Sequence, residues 1–136
     1  MIKILKHTLL VILFFYSCII FADEETKVVL HLNDSFKLNH LKNSVKNIRA
    51  ELGDDVKIKI IVNGKVVQGL LKNNEPNTKI VNFILKKNVD IGLCHNALRN
   101  NSVSGDMLIE GLEILPTDGN VTLINLQKQG YIYIKL

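Results

Sequence analysis

The chain has 136 residues, 47% hydrophobic and 22% charged, with a formal net charge of +4, two cysteines and two prolines. That length fits one domain of ordinary size and is too short for two. Two cysteines exclude a disulfide scaffold, and the abundance of Ile, Leu and Val excludes a disordered chain.

The first 22 residues read as an address. Lys3 and Lys6 precede an almost unbroken apolar run from Leu9 to Ala22, and Asp23, Glu24 and Glu25 follow at once. A basic start, a short apolar stretch and a small final residue make a secretory signal peptide, with cleavage expected after Ala22. The run is short for a spanning helix, which needs roughly 20 apolar residues. An uncleaved N-terminal anchor is the alternative. A lipid on Cys18 is disfavoured by the bulk of Phe15 and Tyr16 before it. Cleavage would leave a domain of 114 residues, 23–136, with Lys+Arg falling from 17 to 15 against 13 acids and a net charge of +2. The expected location is the periplasm, with no membrane contact after cleavage. The basic balance is then partly a targeting feature. The remaining lysines are scattered, without the interleaved aromatics of a nucleic-acid stripe, so no nucleic-acid partner is expected. Cleavage also removes Cys18 and leaves Cys94 alone.

In chain order, Lys27 to Asn33 reads as a buried strand. Asp34 and Ser35 cap a helix whose stripe is Leu38, Leu41, Val45, Ile48 and Leu52, stopped by Gly53. Val56 to Val62 is a second strand, ended by the Asn63-Gly64 turn. Lys65 to Lys72 reads as a loop running into a short helix. Glu75-Pro76-Asn77-Thr78 starts a helix with Ile80, Phe83, Ile84 and the stem of Lys87 inward. Val89 to Cys94 is the third strand. His95 to Arg99 gives one or two helical turns, and Gly105 to Glu110 a further short helix. Leu112 to Leu115 is the fourth strand, ended by Pro116. Thr117 or Asp118 caps a helix with Val121, Ile124 and Lys128 inward, stopped by Gly130. Tyr131 to Leu136 is a last strand of strict alternation, with Tyr131 and Tyr133 expected to pack on a neighbour within the chain or across a subunit interface. Alternating strands and helices predict an α/β sandwich with a mostly parallel sheet, because parallel neighbours need crossover helices.

In open α/β sheets, sites form outside the carboxyl ends of the strands. Three such ends are candidates: Asn33-Asp34, Asn63-Gly64 and Cys94-His95-Asn96. Cys94 is the reactive type among them. Placed between a strand end and a helix start, its sulfur would meet free N–H groups, which favour an anion, and His95 and Arg99 could add positive charge. A lone cysteine at the end of a buried strand is otherwise a small apolar filler. Export favours a shielded or used thiol over an idle one. No His, Cys, Asp or Glu cluster has metal-ligand spacing, so no metal site is expected. No G-x-S-x-G is present, and Asn63-Gly64-Lys65 is neither a P-loop nor a dinucleotide fingerprint. A flavodoxin-like cofactor binder lacks support, because Asn33-Asp34-Ser35-Phe36 puts an acid where phosphate would sit. No cofactor is expected.

From Lys27 to Leu136 the segments together resemble the DsrE/DsrF-like (YchN-like) family. The resemblance rests on the first strand ending in Asn33-Asp34, the helix ending Ala50-Glu51-Leu52, the strand ending Val62-Asn63-Gly64, the segment Val89-Asp-Ile-Gly-Leu-Cys94-His-Asn-Ala-Leu98, and the tail Leu126-Gln-Lys-Gln-Gly-Tyr-Ile-Tyr-Ile-Lys135. It implies a three-layer α/β/α sandwich with a mainly parallel five-stranded sheet. It implies a homo-oligomer, a trimer or hexamer. It also implies a sulfur-relay role in which Cys94 takes up sulfane sulfur from a donor and passes it to an acceptor. The strand ends themselves make Asn33, Asp34, Asn63, Gly64, His95 and Asn96 the candidates to wall its pocket. The signal segment departs from the cytoplasmic relay members. A non-catalytic binding or assembly module with an inert Cys94 is the competing expectation.

Overall fold

The computed structural model describes residues 25–136. The expected signal segment and its expected cleavage after Ala22 lie outside the described residues.

Five strands form one sheet: β1 (Lys27–Leu32), β2 (Lys57–Val62), β3 (Asp90–Cys94), β4 (Glu113–Leu115) and β5 (Ile132–Lys135). Their order is β4-β3-β2-β1-β5, and every neighbouring pair is parallel. Four helices of the α type connect them: α1 (Leu38–Leu52), α2 (Glu75–Leu85), α3 (His95–Asn100) and α4 (Gly119–Lys128). The first four strands advance in one direction across the sheet. The chain then returns from β4 to the opposite edge beside β1. Right-handed crossovers therefore put α1 and α2 on one face and α4 on the other. The architecture is the expected α/β/α sandwich, with a wholly parallel sheet.

The two faces are unequal. Val28, Leu30, Ile58, Ile60, Ile91 and Leu93 pack under α1 and α2 in the main core. The other face buries a small cluster of Val29, Ile61, Leu123, Leu126 and Tyr131 beneath α4. Alternation along parallel strands sends successive side chains to the two sides, which is why β1 supplies both cores.

Helix faces depart from the sequence reading at three places. In α1, Leu52 is exposed and Arg49 is buried instead. Arg49 turns in because backbone carbonyls converge there without partners of their own: Nε donates to Lys87, Nη2 to Asn88, and Nη1 to Gly53, Asp54 and Val56. In α2, Val81 and Ile84 are buried, with Ile80 and Phe83 partly so. Lys87 is exposed, its ammonium over the Phe83 ring. In α4, the buried residues are Gly119, Leu123 and Leu126, whereas Val121 and Ile124 are 45% and 52% exposed. The helix crosses the sheet over β2, so only one narrow stripe meets apolar surface.

Two short segments are tighter than expected. Gly64–Gly69 and Gly105–Met107 are 3-10 turns, and another, Ser35–Lys37, precedes α1. Pro116 does end the fourth strand, and Asp118 rather than Thr117 caps α4.

Candidate functional site around Cys94

Cys94 ends β3 at the carboxyl edge of the sheet and is 4% exposed. The N–H that reaches its sulfur comes from another part of the chain than the sequence suggested. It is the N–H of Gly119, at the start of α4, which donates to Sγ over 3.3 Å. No N–H of α3 is hydrogen-bonded to Sγ among the described residues. The physical reason lies in the sheet. β4 is the parallel neighbour of β3, with Cys94 level with Leu115, so the turn after β4 delivers the first residue of α4 to the sulfur.

That turn also brings a carboxylate. Asp118 Oδ2 accepts from the Cys94 thiol at 3.6 Å and from Asn96 Nδ2 at 3.0 Å. Its other oxygen accepts the N–H of Asn120 at 2.8 Å, the N-cap of α4. The Asn96 side chain, then the Asn120 N–H, hold the Asp118 carboxyl below the usual carboxylate range. It is therefore an ionised acceptor near neutrality. The sulfur lies between an anionic acceptor and a backbone donor.

A second polar group supports the start of α4. Asn63, at the end of β2, donates through Nδ2 to His31 Nε2 and to Asn120 Oδ1, each at 3.3 Å. His31 is 8% exposed, and its Nδ1 lies 2.8 Å from the Tyr133 hydroxyl. Burial, then the Lys135 ammonium, push the His31 imidazole below its ordinary value, favouring the neutral ring. Asn63 Oδ1 is buried without a hydrogen-bond partner and faces Gly119. A Cβ at position 119 would overlap that oxygen, so any larger residue there would have to displace the Asn63 amide or the start of α4.

Of the residues singled out by sequence, Cys94 and Asn96 share Asp118, and Asn63 joins them through Gly119 and Asn120. His95 follows Cys94 with its Nδ1 buried and unpartnered. Arg99 reaches the group only through Asn96, at 2.8 Å. Gly64 begins the turn after β2, and its carbonyl accepts from Asn101 at 3.5 Å. Asn33 and Asp34 stand at the end of β1, where Asp34 caps the Ser35–Lys37 turn through the Phe36 N–H. No side-chain hydrogen bond ties them to the sulfur network among the described residues. Asp118, Gly119, His31, Asn120 and Tyr133 were missed as site residues. The signal for Asp118 was its place after the fourth strand, since parallel neighbours end side by side.

An open groove of about 570 Å³ lies elsewhere, between α2 and the 105–112 segment, with Lys72, Thr78, Asn82 and Glu110 on its walls.

A five-stranded parallel sheet flanked by helices, ordered 4-3-2-1-5, is a YchN-like fold. The solved structures this chain matches bear that out. A protein of unknown function from Methanobacterium thermoautotrophicum, MTH1491, superposes with a TM-score of 0.75 at 26% identity, over 82% of this chain and 100% of that one. The ychN protein of E. coli matches with a TM-score of 0.66 at 16% identity, over 82% and 99% of the two chains. BT1422 of Bacteroides thetaiotaomicron, a conserved protein of unknown function, matches with a TM-score of 0.65 at 18% identity, over 81% and 94%. No family model matches the chain, and no curated protein matches it.

Proposed function

We propose that this protein is an exported carrier of sulfane sulfur, with Cys94 as the sulfur-bearing nucleophile. One observation carries the reading: the Cys94 sulfur has a polar partner on each side. A cysteine that only fills space sits among apolar atoms. Cys94 borders the main apolar core, but it also gives its proton toward Asp118 and receives the Gly119 N–H. Its place at the carboxyl end of a parallel strand is where open α/β sheets hold their chemistry.

The reaction is an exchange. Cys94 sulfur attacks the outer sulfur of a persulfide R–S–SH. The new bond joins Cys94 Sγ to that sulfur as the donor's S–S bond breaks. The thiol proton leaves toward Asp118 Oδ2 and ends on the departing R–S⁻ as R–SH. Electrons balance without an outside oxidant. The Gly119 N–H holds charge on the Cys94 sulfur as the proton leaves. Delivery to an acceptor thiol is the reverse exchange.

The apolar segment Leu9 to Ala22 with its basic start supports export to the periplasm, and an uncleaved anchor would tether the same domain. Ile132 and Ile134 on the edge strand β5 support a homo-oligomer, because both are exposed on an unpaired sheet edge, and the trimer or hexamer is what the family resemblance implies.

The second reading is a binding or assembly module with an inert thiol, favoured by the 4% exposure of Cys94. Transfer separates the two. Protein preloaded with a persulfide donor and freed of it should hand sulfur to a small thiol acceptor in the wild type and not in Cys94→Ala. Equal release from both would leave the inert reading standing.

A further inference from the structure

Asn63 carries the one buried side-chain oxygen among the described residues that has no hydrogen-bond partner. Its amide is oriented from the other end. Nδ2 can only donate, so His31 Nε2 accepts, and the ring proton sits on Nδ1, facing the Tyr133 oxygen. That arrangement requires a neutral ring. In imidazolium both nitrogens donate, and Nε2–H would point at the Asn63 NH₂. Reversing the amide removes the conflict with the ring and gives Oδ1 the partner it lacks. The exposed Asn120 amide must turn with it, because Asn120 Oδ1, which now accepts from Asn63 Nδ2, would otherwise face the Asn63 oxygen. The reversal turns the NH₂ toward Gly119, where the oxygen now faces the Cα–H. An N–H donor against a Cα–H is repulsive, where oxygen against it is weakly attractive.

We infer that protonating His31 reverses the Asn63 amide and lifts the start of α4 away from the Cys94 sulfur. Resting on the sulfur-carrier reading, this makes the thiol site acid-opened: the Gly119 N–H and the Asp118 carboxylate leave Sγ together, since they are consecutive residues. The titratable groups facing His31 from β5 are Tyr133 and Lys135. β2 presents Ile61 and Asn63, and the near end of α4 presents Asn120, with Asp118 behind it. The coupling runs through groups in contact, from the His31 ring to the Asn63 amide to Gly119 and its N–H on Cys94.

The test is a pH titration of the purified protein by NMR. It follows the His31 ring, the Asn63 side-chain amide and the Gly119 backbone amide. The expected result is one shared midpoint below the ordinary histidine value of 6.5, with the Gly119 response lost in His31→Gln. Tyr133→Phe keeps the His31–Asn63 contact and should keep the shared titration. A ring that titrates while both amides stay still overturns the inference. So does a ring that stays neutral until the fold is lost. Should His31→Gln fail to fold, wild type and Tyr133→Phe decide the question alone. Sulfur loading of Cys94 is measured separately. Shared titration without loading sinks the carrier reading and keeps the coupling, and loading without shared titration does the reverse.

Discussion

The backbone N–H of Gly119 lies 3.3 Å from the Sγ of Cys94, and the same glycine lies against the Asn63 amide with no room for a Cβ. One residue thus joins the ends of β2, β3 and β4. Gly119→Ala must move either Asn63 or the first turn of α4. Overpacking of this kind costs about 1–3 kcal/mol. Thermal unfolding should show the loss, and Cys94 should react faster with an alkylating reagent in the folded protein. An unchanged melting temperature would mean the contact is slack.

Arg49 is the second structural tie. Its guanidinium satisfies the carbonyls of Lys87, Asn88, Gly53, Asp54 and Val56 at the amino end of the sheet. Arg49→Met keeps the apolar stem and strands those carbonyls. A cost on the order of 3 kcal/mol is expected, read as a lower denaturant midpoint at unchanged slope. Arg49→Lys should rescue little, because an ammonium has three donors and no planar fork.

His31 makes stability depend on acid. Its folded-state value lies below the ordinary 6.5, so the unfolded chain binds the proton more readily. Stability is full above 6.5 and falls as pH drops from there through the lower folded-state value. His31→Gln should flatten that part of the curve. Denaturant midpoints compared between about pH 7.5 and about pH 5 will show whether it does.

The edge strand β5 leaves Ile132 and Ile134 57% and 39% exposed. Light scattering at micromolar concentration should find a trimer or hexamer. Ile132→Lys with Ile134→Lys should yield smaller species, since charges on an edge block pairing. A wild-type monomer would contradict the expected assembly.

Much of the fold was legible because apolar spacing and turn residues agree along the chain. Strand-helix alternation gave the parallel sheet, and Asn63-Gly64, Pro116 and Gly130 punctuate it where expected. Helix faces were less legible. Val121 and Ile124 have helical spacing, but the crossing of α4 over β2 buries Leu123 and Leu126 instead. The burial of Arg49 was not legible because the carbonyls it meets come from two loops far apart in sequence, 53–56 and 87–88. At the site, Cys94, Asn63 and Asn96 could be found from strand ends. Asp118 and Gly119 could not be ranked with them until β4 was known to lie beside β3. Asn33 and Asp34 share the same edge, yet the groups on the sulfur come from β3 and the start of α4, and β1 joins the network through His31 instead.

The central claim is that Cys94 accepts sulfane sulfur. Intact mass measured after brief incubation with polysulfide at neutral pH tests it most directly. The account predicts a gain of one sulfur atom, removed by a reducing thiol and absent in Cys94→Ala. An unchanged mass, or the same gain in Cys94→Ala, would contradict it.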